Sequence, residues 1–127
     1  FVVVNGLTID EDGEISFLPK PYPGSNLFSL ASGGALYVRD PYRQMVEEQL
    51  NGGVFAELSL ADWNLIHPYL VENEKHFGIK IEQLLTVDGA IRKPYEVYRK
   101  VTAVSLAVLE QIPSTDDSVW DADGAAA

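Results

Sequence analysis

Between Gly24 and Pro41 the chain reads Gly-Ser-Asn-Leu-Phe-Ser-Leu-Ala-Ser-Gly-Gly-Ala-Leu-Tyr-Val-Arg-Asp-Pro, and the Gly33-Gly34 pair inside it limits what can be built around it. A Gly pair between two apolar runs lets the backbone take positive φ, or lie against another backbone where any Cβ would collide. The pattern predicts strand, tight corner, strand. Asp40 then offers a side-chain oxygen to free amide groups and Pro41 suits a first helical position, so the sequence predicts that the sheet-like part ends here and a helix begins.

Glycines at 6, 13, 24, 33 and 34 punctuate short apolar runs from Phe1 to Val38. Such spacing suits an all-β meander and equally the coils of a β-solenoid that turns at Gly-rich corners. Phe1-Val2-Val3-Val4 reads as a buried strand wanting a neighbour on each face, which leads to the expectation of a fragment or a processed chain. Asp10-Glu11-Asp12-Gly13 carries hard-cation oxygens, but Ile15, Phe17 and Leu18 fall where a calcium loop needs polar ligands, so a solvated turn is expected. Pro19-Lys20-Pro21-Tyr22-Pro23 holds the backbone extended and lacks amide donors; it reads as a rigid connector in preference to a polyproline ligand.

The Asp40-Pro41 start, with Tyr42, Met45, Val46 and Leu50 on one stripe and Asn51-Gly52-Gly53 as the stop, predicts a short amphipathic helix. Val54 to Leu58 then reads as a strand. Ser59-Leu60-Ala61-Asp62 imitates a capping box and opens the longest helical pattern, with Trp63, Ile66, Leu70 and Phe77 at helical spacing. Pro68 predicts a kink or a restart near His67, because proline deletes a backbone bond and crowds the preceding turn. Gly78 is the expected stop. Lys80 to Leu85 reads as a further short helix, Val87-Asp88-Gly89 as a turn, and Val101 to Ile112 as either helix or strand. Residues 113–127 read as an acidic, disordered tail.

The candidate chemistry is sparse. His67 and His76, with Glu72 or Glu74, could be drawn as a metal site, yet nine residues separate the histidines where a helical site wants three or four. Arg92 to Lys100 is the one local basic cluster, read as a solvated face or subunit contact. A net charge of −10, from 19 acidic and 9 basic residues, argues against nucleic acid and against anionic membrane surfaces. No apolar run approaches the roughly 18 residues that a transmembrane helix needs. With no Cys, thiolate nucleophiles and Cys-bound metals are outside the chain's repertoire; the same composition, and the lack of a secretory leader, lead to the expectation of a cytoplasmic protein. No nucleophile beside a base and no phosphate loop is visible. No catalytic, cofactor-binding or metal-binding residue is therefore expected.

Ser32-Gly33-Gly34-Ala35-Leu36-Tyr37-Val38-Arg39-Asp40, Glu47 to Leu50, the Asp62-Trp63 helix and Tyr98-Arg99-Lys100-Val101 resemble the C-terminal end of the glutamate synthase large subunit. Phe77-Gly78-Ile79 and Leu84-Leu85-Thr86-Val87-Asp88-Gly89 are similar to archaeal-type versions in which this domain is a separate subunit. The likeness spans roughly Gly24 to Val101. The repeated G-x-G-x-G signature of that domain is missing here, and the Asp40-Pro41 helix signal stands where the family has a turn and a strand. The resemblance implies a right-handed β-helix followed by a small helical segment, without catalytic residues, flavin ligands or cluster cysteines, bracing amidotransferase and flavin-containing parts. A related β-helix occurs in the third subunit of formylmethanofuran dehydrogenase.

The expectation is therefore an α+β chain, with a β-rich region over 1–58, a helical cap over 59–112 and the tail beyond. Its expected partners are other domains or subunits of a glutamate synthase-like enzyme. The alternatives are the formylmethanofuran dehydrogenase-like subunit and a stand-alone module with an apolar groove and a Tyr95, Tyr98 and Arg99 rim for a peptide or small anion.

Overall fold

The computed structural model describes residues 1–24 and 34–103. Along them run β1 (Val2–Val4), β2 (Leu7–Ile9), β3 (Ile15–Phe17), β4 (Ala35–Arg39), a 3₁₀ turn (Glu47–Gln49), β5 (Gly53–Ala56), α1 (Leu60–Phe77), α2 (Ile81–Leu85), β6 (Thr86–Val87), β7 (Ala90–Ile91), α3 (Pro94–Val97) and β8 (Tyr98–Ala103). The fold is mixed α+β.

Four strands form one sheet in the order β1-β4-β8-β5, and β2-β3 and β6-β7 are separate antiparallel hairpins. β1 pairs parallel to β4, with Val3 opposite Tyr37. β8 pairs antiparallel to both β4 and β5, with Lys100 opposite Tyr37 on one side and Ala56 on the other. Because successive strand residues point to opposite faces, the sheet separates two cores. One face sends Val3, Ala35, Tyr37 and Tyr98 against Trp63, Ile66 and Leu70 of α1 and Ile81, Leu84 and Leu85 of α2. The other sends Val4, Leu36, Val38, Phe55 and Val101 against Met45, Leu50 and Tyr22.

The helix read from Ser59 is present as drawn. Asp62 N–H donates to Ser59 Oγ at 3.1 Å and Ser59 N–H to Asp62 Oδ2 at 2.9 Å, a reciprocal capping box. At the other end Gly78 takes φ 73° and donates its N–H to Glu74 O. Of the kink or restart predicted near His67, the restart does not occur: α1 runs as one helix through Pro68. Asn64, whose carbonyl loses its i+4 donor there, is exposed, as is Pro68, so the missing bond falls on the wet side of the helix. The turn expected at Val87-Asp88-Gly89 is a two-residue hairpin loop between β6 and β7, with φ 53° at Asp88 and 81° at Gly89.

The amphipathic helix predicted from Asp40 to Leu50 is absent. Asp40 does cap amides, but those of a turn and not of a helix: its carboxylate oxygens accept from Gln44 N–H at 2.8 Å and Met45 N–H at 3.0 Å. Its own N–H is held by Val97 O at 2.8 Å, and Arg43 turns to φ 54°, which a right-handed helix forbids. Only Glu47–Gln49 winds up, as 3₁₀. The predicted stripe divides accordingly, with Met45 and Leu50 buried while Tyr42 and Val46 stay outside.

Of the Gly33-Gly34 corner, Gly34 is described and has φ 78°, as a left-handed corner requires. The strand expected before the corner lies in 25–33, outside the described residues. Val101 to Ala103 finish β8, which decides that part of the helix-or-strand alternative; 104–112 and the tail 113–127 lie outside the described residues. Among the described helices none is long and apolar enough to cross a membrane.

Candidate functional site

The inward face of β4 and β8 carries polar side chains where hydrocarbon would be usual. Tyr37 and Lys100, opposite one another in the ladder, converge on Asp62 in the first turn of α1. The Tyr37 hydroxyl donates to Asp62 Oδ1 at 2.7 Å and Lys100 Nζ lies 3.0 Å from the same oxygen, both Lys100 and Asp62 being buried. Oδ2 takes the Ser59 hydroxyl at 2.8 Å as well as its N–H. Burial alone would push the Asp62 carboxyl up; hydrogen bonds from Tyr37, Ser59 and Lys100 together outweigh it and hold the group below the usual carboxylate range. Such a carboxylate is an anchor between sheet and helix, since both its oxygens are already engaged as hydrogen-bond acceptors.

A second inward cation, Arg39, donates from Nε to Leu84 O at 2.8 Å and from NH2 to Thr86 O at 3.1 Å, so it satisfies the end of α2. Its guanidinium also covers the Phe17 ring at 3.6 Å and thereby ties down the β2-β3 hairpin. On the opposite face Arg99 reaches Asp40 Oδ2 at 3.1 Å and Met45 O at 3.0 Å while lying 3.5 Å over the Phe55 ring. Arg43 adds bonds to Asp40 O and Tyr95 O.

These contacts redistribute the residues that the sequence singles out. The basic cluster from Arg92 to Lys100 is no solvated face at its C-terminal end. Lys100 is buried against Asp62, Arg99 is fastened to Asp40, and Tyr98 is buried with its hydroxyl on Asn5 Oδ1 at 2.7 Å. The same placement removes the Tyr95, Tyr98 and Arg99 rim of the binding-module alternative, because Tyr98 does not reach the surface. Strand pairing of β8 between β4 and β5 is the reason, and the alternation of its side chains was the signal: Tyr98, Lys100 and Thr102 share one face.

His67 and His76 are not brought together. Nine residues of helix set them about 13 Å apart along its axis; His67 lies beside the Trp63 ring at 5.5 Å between centroids, whereas His76 is exposed next to Glu72 at 3.4 Å. Among the described residues no group of three or more His, Asp or Glu side chains is placed to hold a metal ion. Asp10 to Gly13 is an exposed turn whose Asp10 Oδ1 accepts the N–H groups of Asp12 and Glu14. The proline segment is a strap over the second core. Gln49 Nε2 donates to Tyr22 O at 2.8 Å and Gly24 O at 3.0 Å, leaving a cleft of about 280 Å³ between the strap and Gln44 to Gln49.

Among the described residues the sheet has two edge strands, β1 and β5; β5 is half-buried throughout, and β1 is the one with an exposed apolar side chain, Val2. β1 stands at one end of the sheet, and its three valines carry none of the charges, prolines or bulges that usually blunt such an edge. Phe1 and Val2 are 49% and 55% exposed, and Tyr69 on α1 is 60% exposed with its ring 5.1 Å from that of Phe1. Leu65, one helical turn before Tyr69, is also exposed. The strand expected over Phe1 to Val4 is present as β1, but it is not buried as expected: it lies at a sheet edge with Phe1 and Val2 exposed, and the pairing of Phe1 with Tyr69 depends on how α1 crosses the sheet. Compared with models of protein families, with curated proteins and with solved structures, the chain matches none.

Proposed function

We propose that this chain is a non-catalytic structural and assembly module of a glutamate synthase-like complex, in which neighbouring parts move ammonia from glutamine to 2-oxoglutarate. The observation that carries the assembly role is the unblunted β1 edge, flanked by the exposed rings of Phe1 and Tyr69. An edge of this kind is a template for another chain's strand, and its exposed side chains supply apolar contact on joining. The described buried ionisable groups of the two networks are occupied in joining sheet to helix or loop, which suits a brace better than a reaction centre.

The choice of complex rests on the resemblance. It implies a turn after the Tyr37-Val38 strand, and Asp40 to Arg43 form one there. In this reading β1 and β4, the parallel pair of the sheet, are rungs of the last coils of a right-handed β-helix, and α1 and α2 close its open end. Its partners are the amidotransferase and flavin-bearing parts, and its compartment is the cytoplasm.

The test is co-expression with the amidotransferase and flavin-bearing parts of a glutamate synthase. Co-purification of the wild-type chain, together with loss of the complex in a Val2→Lys, Tyr69→Lys double variant that keeps the wild-type circular dichroism spectrum, is the expected result. Failure of the wild-type chain to associate refutes the choice of complex, and unchanged association of the double variant refutes the β1 edge as the docking element.

A further inference from the structure

We draw no further inference here: the strongest candidate outside the β1 edge, the cleft of about 280 Å³ between the proline strap and Gln44 to Gln49, has its Gln49 side chain committed to the Tyr22 and Gly24 carbonyls and the Val46 amide, and nothing in the structure shows what covers its exposed Val46.

Discussion

Asp62 accepts hydrogen bonds from Tyr37, Lys100 and both the amide and hydroxyl of Ser59, so one carboxylate caps a helix and fastens it to two strands. Removing it by Asp62→Ala strips Lys100 of its buried counter-ion and α1 of its box. Truncating one partner of a buried pair costs about 3–5 kcal/mol; about 3 kcal/mol is expected here, as Asp62 retains 7% exposure, and urea denaturation will read it as a lower midpoint. Because the folded carboxyl titrates below its ordinary value of about 3.9, its contribution is complete above that value and is lost as pH falls through the lower folded one. The difference in melting temperature between wild type and Asp62→Asn should therefore hold steady above about pH 5 and shrink toward pH 2. A constant difference over that range would rule out the linkage. Thr102 makes the opposite case. Its hydroxyl is buried with no hydrogen-bond partner among the described residues, and a same-shaped apolar group removes that desolvation cost. Thr102→Val is expected to gain about 1 kcal/mol, seen in calorimetry as a rise of roughly 3–5 °C. Ser59 with Asp62 could be read from their spacing of three; Tyr37 and Lys100 could not, because only the β4-β8 register sets them opposite one another.

At the scale of elements, α1 follows its sequence closely and the 40–50 segment does not. The reason lies in where the terminal bonds go. Ser59 and Asp62 satisfy each other within one turn, and Gly78 closes the far end, so the boundaries of α1 are local properties. Asp40 has the same chemistry, but Val97 O and Arg99, from the other end of the described chain, hold it in a different geometry. Tertiary contacts outweigh propensity there, as they commonly do in short segments. Pro68 is the local misfit within α1. Proline in a helix interior costs about 3 kcal/mol relative to Ala, part of which is offset because it also restricts the unfolded chain. Pro68→Ala should stabilise the protein by about 1 kcal/mol, since the bond regained is solvent-exposed. A lower thermal midpoint for this variant would show that α1 needs the proline to seat Trp63 and Leu70.

For the whole molecule, the sheet is drawn from both ends of the described chain, with β4 and β8 central and β1 and β5 at its two edges. Val2 and Tyr69 contribute little to either core, so the Val2→Lys, Tyr69→Lys double variant should keep its folding stability within about 0.5 kcal/mol while losing association through the β1 edge. Measuring unfolding and complex formation on the same preparation separates these effects, and a large loss of stability would mean that the edge belongs to the core. The sequence alone determined the spacing of the apolar positions, the capping box, the turns at glycine and the acidic charge, because each depends on residues a few positions apart. The tertiary structure decided which cations go inward, that Asp40 caps a turn, and that among the described residues β1 stands at an edge of the sheet. Those outcomes depend on strand order and register, which join residues far apart in the chain and lie beyond any local pattern.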